Sequence, residues 1–408
     1  MRKILLLSLM LTSFNLFAQK LNVVGGYFPS WRSTSSANFN HYNYLYYAFA
    51  FPSVNGEILD LNPVFFEFLD ANKSNPAKKF ISVGSTGLPE MAKDSIASLK
   101  FADTLRSFCK VHQLQGIDMD WEAIDNEVDM KNFTRLMKMI RNEIDTTNLE
   151  FSITLGFGNY WMQWYEDEAL QTADFLQIMI YDQTGTWSGS PFGNHASMDH
   201  FLQAESYWVS RGYPRNKLVM GLPYYGYKFK SNKGGLASAV TYADILTQFP
   251  NMKSSDNLLS DNTGYYWFNG ADLIKEKTEY AINNGFKGVF VWEIAQDDLK
   301  SPLSLDSTLA KTAGTLTLGI EKLNSSETTI SIYPNPCNNS FKINGLSNDF
   351  INGEIKIQNQ EGKTISKFKI NEIENGEYIL KNIIAGFYTV SFTNNSKSKV
   401  YYSKLVIN

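Results

Sequence analysis

Residues 116–122 of the chain have the sequence GIDMDWE. Its acids, Asp118, Asp120 and Glu122, are spaced by two residues. Residues at positions i, i+2 and i+4 of a β-strand point to the same side. The pattern therefore predicts three carboxylates on one face of a strand, with Glu122 at its C-terminal end. Enzymes built as (β/α)8 barrels place their chemistry at that end of their strands.

The three acids indicate catalysis more than packing. Burying carboxylates together is costly unless they share protons and hydrogen bonds, so a structural role alone does not favour the pattern. Like-charged neighbours should raise at least one pKa, and we expect Glu122 to stay protonated as a general acid. Metal binding is the competing use of clustered carboxylates, but no histidine lies close to them in the sequence.

Apolar runs alternate with helical patterns along the chain, which predicts a parallel sheet. The runs are rich in β-branched and aromatic residues, as buried parallel strands are; they are 22–28, 42–51, 79–84, 116–122, 149–157, 173–181, 217–225 and 286–292. Helices are predicted at 102–113, 127–142, 198–211 and 273–284. Eight such units fit a (β/α)8 TIM barrel. An open doubly wound sheet is the rival, but no glycine-rich phosphate turn follows the first strand.

Composition excludes other classes of protein. Of the 408 residues 43% are hydrophobic, which is ample for a large core and excludes a disordered chain. The net charge is −4 without a basic block, so no nucleic-acid-binding surface is predicted. Cys109 and Cys337 lie far apart and outside any CxxC pair, and we expect free thiols more than a disulfide.

Three segments flank the predicted barrel domain, residues 19–311. Residues 1–18 have two basic residues, an apolar run and a final small residue, a pattern typical of a signal peptide. No transmembrane segment is predicted after it, so the mature protein should leave the cytoplasm without a membrane span. Residues 312–328 are rich in Thr, Gly and Ser and are predicted to be a linker. Residues 329–408 alternate in short strands, which predicts a small β-sandwich.

The chain resembles glycoside hydrolase family 18, the chitinase family. Residues 116–122 closely match its signature DGxDxDxE. Five further segments are similar to family segments in the same order, namely 27–31 (YFPSW), 82–85 (SVGS), 179–182 (MIYD), 221–226 (GLPYYG) and 288–293 (GVFVWE). Several motifs in the right order are more specific than any one alone, and the resemblance extends from Tyr27 to about Asp298.

The resemblance implies a retaining, substrate-assisted hydrolysis of β-1,4 bonds between N-acetylglucosamine units, without a cofactor or metal. Glu122 would protonate the glycosidic oxygen while the N-acetyl carbonyl of the substrate attacks the anomeric carbon and forms an oxazolinium ion. Asp120 would orient the acetamide, and Asp118 would share a proton with Asp120. Tyr181 would donate a hydrogen bond to the acetamide oxygen.

The resemblance also implies substrate-binding residues around this −1 subsite, namely Tyr27, Ser82, Met179, Asp182, Trp187, Tyr225 and Trp292. Tyr27 and Ser82 would support Asp118. Met179 and Asp182 would shape the subsite, Trp292 would form its hydrophobic floor, and Trp187 matches a family position for sugar stacking. Other aromatic candidates for stacking are Trp31, Trp161, Trp164 and Trp267.

Some positions depart from the family pattern. Gln115 stands at the first Asp of the signature, Ser85 at the second glycine of the third strand, Ala123 at a common aromatic position, and Tyr227 at a frequent arginine. We expect Gln115 to tune the pKa of the buried carboxylates without abolishing activity. Residues 227–285 are too few for the full α+β domain inserted in many chitinases, so we expect a shallower, more open cleft.

Residues 329–408 resemble the C-terminal domains that direct proteins through type IX secretion. The resemblance rests on 331–336 (SIYPNP), 361–363 (EGK), 386–388 (GFY) and 404–407 (KLVI). It implies export across the outer membrane by the type IX secretion machinery, to the cell surface or the medium. A carbohydrate-binding sandwich is the alternative, but it lacks an obvious exposed row of aromatic residues.

The sequence leaves alternative functions open. The main hypothesis is a secreted chitinase that acts on chitin or N-acetylglucosamine oligosaccharides. An endo-β-N-acetylglucosaminidase that cuts the core of N-glycans is the second, although 292–294 (WEI) and 264–270 look more like chitinases. A chito-oligosaccharide-binding lectin on the same barrel is the third. Such proteins usually lose the acid, and Glu122 is present.

Overall fold

The computed structural model describes residues 21–315 and 331–407, except 60, 159, 345–349, 351, 360–362, 372–376, 382 and 395–399. The predicted signal peptide and most of the predicted linker lie outside the described residues. The described chain divides into two compact units, one on each side of the gap at 316–330. Each unit is taken by itself below.

The first unit alternates strands with helices, as the sequence predicts. Its strands are β1 (Val23–Pro29), β2 (Tyr44–Ala50), β3 (Lys78–Gly84), β4 (Gly116–Asp120), β5 (Glu150–Gly156), β6 (Phe175–Met179), β7 (Leu218–Pro223), β8 (Tyr225–Phe229), β9 (Ala237–Thr241), β10 (Leu258–Asp261), β11 (Gly264–Trp267) and β12 (Gly288–Trp292). Its helices are α1 (Val64–Ala71), α2 (Leu88–Met91), α3 (Ser95–His112), α4 (Glu127–Ile144), α5 (Asp167–Leu170), α6 (Met198–Ser210), α7 (Tyr242–Gln248), α8 (Ala271–Asn283) and α9 (Leu305–Ala313).

Strands β1 to β7 and β12 close into a parallel barrel, in which β12 pairs with both β7 and β1. These are the eight strands predicted from the apolar runs, and the TIM-barrel prediction is confirmed. One boundary is corrected, because β4 ends at Asp120 and Glu122 follows it outside the strand. Since all eight strands run in parallel, their C-terminal ends meet at one face of the barrel.

Alternation along β2 shows how the two cores of this unit form. Tyr44, Tyr46 and Ala48 belong to the cluster inside the barrel, whereas Leu45 and Tyr47 belong to the cluster between strands and helices. Successive side chains of a strand point to opposite faces, so an apolar strand serves both cores. Inside the barrel the Tyr46 ring stacks on Tyr27, with ring centroids 4.6 Å apart. Aromatic rings thus fill the barrel beneath the acids.

The four predicted helices correspond to α3, α4, α6 and α8. Side chains at their N-termini explain where α3 and α4 begin: Asp94 accepts a hydrogen bond from Ile96 N, and Asn126 accepts one from Asp129 N. The shorter helices were not predicted, since they have too few turns for a clear period. Helix α9 extends two residues into the predicted linker. No helix of the described chain is long and apolar enough to cross a membrane.

A small α+β unit is inserted between β7 and α8. Strands β10, β11, β8 and β9 form a four-stranded antiparallel sheet in that order, and α7 follows β9. The length of the stretch indicates only that it is too short for a full inserted domain, and this reduced sheet is not predicted from the sequence. The insert carries Tyr225 and Tyr227 into the region of the acids.

The second unit consists of two antiparallel sheets, which confirms the predicted β-sandwich. Its strands are β13 (Ser331–Tyr333), β14 (Ser340–Asn344), β15 (Glu354–Gln358), β16 (Thr364–Lys369), β17 (Tyr378–Ile379), β18 (Gly386–Thr393) and β19 (Val400–Ile407). The sheets have the orders β13-β14-β17 and β16-β15-β18-β19. Buried residues from both sheets share one core, among them Phe341, Ile355 and Phe392. Cys337 is buried in this core and Cys109 in that of the first unit, and both thiols are free, as expected.

The close packing between β1 and β12 leads to a testable prediction about the thermal stability of the barrel. A Cβ atom at Gly288 would collide with the main-chain oxygen of Val23, whereas one at Gly193 would lie 3.8 Å from its nearest neighbour. Because overpacking costs about 1–3 kcal/mol, Gly288→Ala should lower the thermal midpoint by about 2–10 °C. The matched control, Gly193→Ala, should leave it nearly unchanged. Equal midpoints for the two variants would contradict the close packing between β1 and β12.

Candidate active site

The carboxylate of Asp118 lies fully buried in the barrel and is surrounded by hydrogen-bond donors. The register places Ser82 of β3 and Ser152 of β5 directly beside it. Both of its oxygens accept hydrogen bonds, from Tyr27 Oη (2.8 Å), Ser82 Oγ (2.7 Å), Ser152 Oγ (2.7 Å), Thr154 Oγ1 (3.0 Å) and Gln177 Nε2 (3.0 Å). These donors come from β1, β3, β5 and β6, so the carboxylate joins four strands of the barrel to β4.

Two opposing effects act on the pKa of Asp118. Burial raises it, since desolvation disfavours the charged form, and the hydrogen bonds from Ser152, Ser82 and Tyr27 oppose that rise. The net pKa is above its usual value. Of the donors, the family resemblance implied Tyr27 and Ser82. Ser152, Thr154 and Gln177 were missed, although polar residues at inward positions of otherwise apolar strands could have indicated them.

Asp120 is also buried, and it lies two residues beyond Asp118 on β4, closer to the C-terminal face of the barrel. Its Oδ1 atom has no hydrogen-bond partner among the described residues. Burial raises its pKa well above the usual value, and the charges of Glu122 and Asp118 raise it further. The expected sharing of a proton with Asp118 is thus not visible as a hydrogen bond at Oδ1. These surroundings disfavour the charged form of Asp120 and leave one of its oxygens unpaired among the described residues.

Glu122 lies beyond the end of β4, and its side chain is exposed in the cleft. The surrounding protein partly desolvates the carboxyl and raises its pKa, and the negative charge of Asp182 adds to the rise. We expected like-charged neighbours to be the cause. Like-charged neighbours, Glu122 and Asp118, do raise the pKa of Asp120, whereas at Glu122 desolvation is the larger effect and the charged neighbour is Asp182.

Asp182 follows β6 in a left-handed backbone conformation, with φ of 61°. Its Oδ1 accepts hydrogen bonds from Tyr225 Oη (2.5 Å) and Tyr227 Oη (2.8 Å), and lies 3.5 Å from His195 Nδ1. Burial raises the pKa of Asp182, but the contacts with His195, Tyr225 and Tyr227 outweigh it and lower the pKa. Asp182 is therefore held as an anion. Tyr227, named above only as a departure from the family, is part of the site.

A cavity of about 340 Å³ opens beside Glu122 at the C-terminal face of the barrel. Four of the predicted site residues line it, namely Glu122, Met179, Tyr181 and Asp182. Tyr27 and Ser82 lie beneath it on Asp118, and Tyr225 lies behind it on Asp182. No group of three histidine, cysteine or acidic side chains in the described chain could hold a metal ion.

The predicted aromatic residues fall into two groups. Trp292 is half-buried, with its ring 5.7 Å from Tyr27 and 6.3 Å from the exposed ring of Trp31. Trp187 is exposed and packs close to Gly185, and Trp161 is exposed and lines the cavity. By contrast, Trp164 packs against the outer core and Trp267 against Phe192, so both are packing residues.

The fold and the acids at the end of β4 define a glycoside hydrolase built on a TIM barrel. Residues 23–297 match the model of the glycosyl hydrolases family 18, and the chain belongs to this family. Residues 331–408 match the secretion system C-terminal sorting domain, which indicates a secreted protein of the type IX route.

Relatives in this family bear chitinase names. The chain is 26% identical to a class V chitinase of Lotus japonicus, over 68% of this chain and 83% of that protein. It is 25% identical to endochitinase 1 of Metarhizium robertsii, over 58% of this chain and 65% of that protein. The match with probable chitinase 2 of Drosophila melanogaster spans 56% of that protein at 24% identity. The chain thus spans between about half and four fifths of these relatives.

Solved structures show the same barrel in enzymes and in a binding protein. A chitinase from the chitin utilization locus of Flavobacterium johnsoniae is 25% identical, with a TM-score of 0.61 over 72% of this chain and 94% of that one. A class V chitinase mutant from Nicotiana tobaccum in complex with NAG4 has a TM-score of 0.63 and 21% sequence identity. The match covers 72% of this chain and 99% of that one. A chitinase-like agglutinin from Robinia pseudoacacia has a TM-score of 0.61 and 23% sequence identity, and the match covers 72% of this chain and 100% of that one. The fold alone therefore does not distinguish catalysis from binding.

The charge of Asp182 makes a prediction about Glu122. Asp182→Asn removes a negative charge that disfavours ionisation of Glu122, so the pKa of Glu122 should fall. Titration by carbon NMR of carboxyl-labelled glutamates reads this pKa, once the Glu122 signal is assigned by its loss in Glu122→Gln. Tyr227→Phe is the control, because it removes one hydrogen bond to Asp182 yet keeps the charge, and it should change the pKa less. A pKa that stays or rises in Asp182→Asn would contradict this account.

Proposed function

We propose that the protein is a secreted chitinase that hydrolyses β-1,4 bonds between N-acetylglucosamine units with retention of configuration. One observation carries this proposal: among the described residues Asp120 Oδ1 is a buried oxygen without a partner, between the saturated Asp118 and the exposed Glu122. An unpaired buried oxygen is costly, and it is kept where a ligand can pair it. The N–H of a substrate acetamide supplies the missing donor.

In the proposed reaction Glu122 is the general acid. It gives its proton to the glycosidic oxygen as the bond breaks, and desolvation and the charge of Asp182, which raise its pKa, favour the protonated form that this step needs. The acetamide oxygen of the substrate attacks the anomeric carbon and gives an oxazolinium ion. Glu122, now ionised, then removes a proton from the water that opens this ion, and the free acid is restored. A second carboxylate as nucleophile is not needed in such a substrate-assisted mechanism.

The neighbouring residues orient the acetamide in this proposal. Asp120 accepts the acetamide N–H and stabilises the charge that develops on the ring. Tyr181, which lines the cavity, donates its hydroxyl proton to the acetamide oxygen. Met179 and Asp182 bound the −1 subsite, and the ring of Trp292 forms its floor. Asp118 lies beneath Asp120 with both oxygens occupied by other donors, and so limits the ways in which Asp120 can pair.

The exposed tryptophans support a polymeric substrate in place of a single sugar. Trp31, Trp161 and Trp187 are exposed at the same barrel end as the acids. Flat aromatic rings stack on the apolar faces of sugars, and the polar N–H of a tryptophan ring can remain in contact with water at the surface. We propose Trp187 and Trp161 as stacking residues on the leaving-group side, next to the cavity beside Glu122, and Trp31 on the side of Trp292.

Substituting the acid tests the function directly. Glu122→Gln keeps the shape but cannot donate the proton, so the kcat of the full mature chain on fluorogenic chito-oligosaccharides should fall by about 10²-fold or more. Glu67→Gln is the matched control, because Glu67 is an exposed acid on helix α1 that does not line this cavity. It should keep kcat within about twofold.

Other outcomes of this experiment identify the alternatives. Binding of chito-oligosaccharides without turnover by the wild-type protein would overturn the enzyme assignment and favour the lectin. Cleavage of N-glycans without cleavage of chito-oligosaccharides would favour the endo-β-N-acetylglucosaminidase. Equal activity of Glu122→Gln and the wild-type protein would show that another group is the acid.

We further propose that the type IX secretion machinery recognises the β-sandwich and exports the chain. Deletion of residues 331–408 should then keep the barrel inside a bacterium that has this machinery, and the extracellular signal in an immunoblot should fall to background. Full-length Glu122→Gln is the control, since it lacks the catalytic acid but has an intact sorting domain. Export of the truncated chain at the full-length level would contradict the proposal.

A further inference from the structure

The main chain that carries Glu122 lies beyond the hydrogen-bonded part of the barrel. The last register pair between β3 and β4 joins Gly84 to Asp120, and the last one between β4 and β5 joins Met119 to Ile153. Residues 121 and 122 therefore have no strand partner. An unsupported main chain is mobile, whereas a general acid must keep its carboxyl within hydrogen-bond reach of one oxygen atom.

The hydroxyl of Ser85 bridges the two ends of this short segment. Ser85 is the first residue after β3, and its Oγ donates a hydrogen bond to the main-chain oxygen of Asp120 (3.1 Å). The same Oγ accepts a hydrogen bond from the main-chain nitrogen of Glu122 (2.7 Å). One side chain thus extends the contact between β3 and β4 by two residues, at the point where the strand ladder ends.

Neighbouring contacts leave the segment little freedom in other directions. Trp121 is buried, and its main-chain oxygen accepts a hydrogen bond from Tyr165 Oη (2.8 Å). Ala123 has a left-handed φ of 60°, which turns the chain away from the barrel directly after Glu122. In the part of the chain that the structure describes, Ser85 accepts the hydrogen bond from the main-chain nitrogen of Glu122 itself.

We propose that Ser85 is a positioning residue, whose hydroxyl bridge fixes the main chain of Glu122 and thereby aims its carboxyl at the scissile bond. The proposal rests on the proposed hydrolase function. Ser85 stands where the family pattern has glycine, and glycine has no hydroxyl to make this bridge.

The bridge should affect the reaction more than the binding of substrate. Ser85 does not line the cavity, so its loss removes no contact at the cavity wall. Small displacements of a catalytic group are costly, and a shift of 1 Å can reduce a rate by about 10²-fold. We expect the loss of two hydrogen bonds to displace Glu122 by less than that, and to lower kcat by about tenfold with KM changed by less than about twofold.

The test uses the full mature chain and fluorogenic chito-oligosaccharides. Ser85→Ala removes the bridge, and Ser85→Thr keeps the hydroxyl and should recover most of the lost kcat. Ser98→Ala is the matched control, because the buried hydroxyl of Ser98 also bonds a main-chain oxygen, that of Asp94 (2.8 Å), on helix α3. It should keep the wild-type kcat. If Ser85→Ala does not fold, Ser85→Gly, which has the family residue, takes its place.

The outcomes distinguish a failure of the positioning role of Ser85 from a failure of the proposed hydrolase function. A kcat loss in Ser85→Ala that Ser85→Thr restores, with KM unchanged, supports the positioning role. Wild-type kcat in Ser85→Ala, or a loss that Ser85→Thr shares in full, overturns it while the wild-type protein still turns over substrate. A rise in KM without a change in kcat overturns it as well, since it assigns Ser85 to binding. Absence of turnover by the wild-type protein is a failure of the proposed function instead.

Discussion

The buried charge of Asp118 is the constraint on which the site depends. A carboxylate inside an apolar barrel is tolerated only if its desolvation is offset, and here donors from four strands surround both of its oxygens. These donors fix the register of β3, β4 and β5 at the height of the site. They also occupy both oxygens of Asp118, so that no acceptor position is left for a hydrogen bond with Asp120. A hydrogen-bond donor for Asp120 must therefore come from another direction, and a substrate in the open cleft can supply it.

The acids divide their roles because their surroundings differ. Asp118 has its charge balanced by donors, Asp120 is buried with an unpaired oxygen, and Glu122 is partly desolvated in the open cleft. Asp182, held as an anion by Tyr225 and Tyr227, raises the pKa of Glu122 from the other side. One short stretch of sequence thus gives three carboxyl groups with three different tasks, since pKa values follow the environment more than the residue type.

The sequence predicted the barrel because each of its strands is a distinct apolar run between turns, and the acids because their spacing of two suits a strand. It did not predict the donors Ser152 and Thr154, whose importance depends on register across strands that are distant in sequence. The bridge by Ser85 was likewise missed, because a hydrogen bond between main chain and side chain leaves no periodic signal. The small insert escaped prediction since its strands are short, and with it the contact of Tyr227 with Asp182.

The configuration of the first product reveals whether the substrate acetamide is the nucleophile. If the substrate acetamide is the nucleophile, water opens the oxazolinium ion from the face that the leaving group has left, and the new reducing end is formed as the β-anomer. Proton NMR of a chito-oligosaccharide digest in its first minutes, before mutarotation equilibrates the anomers, reads this configuration. The account predicts an initial excess of the β-anomer. An initial excess of the α-anomer would mean direct attack by water and would contradict it.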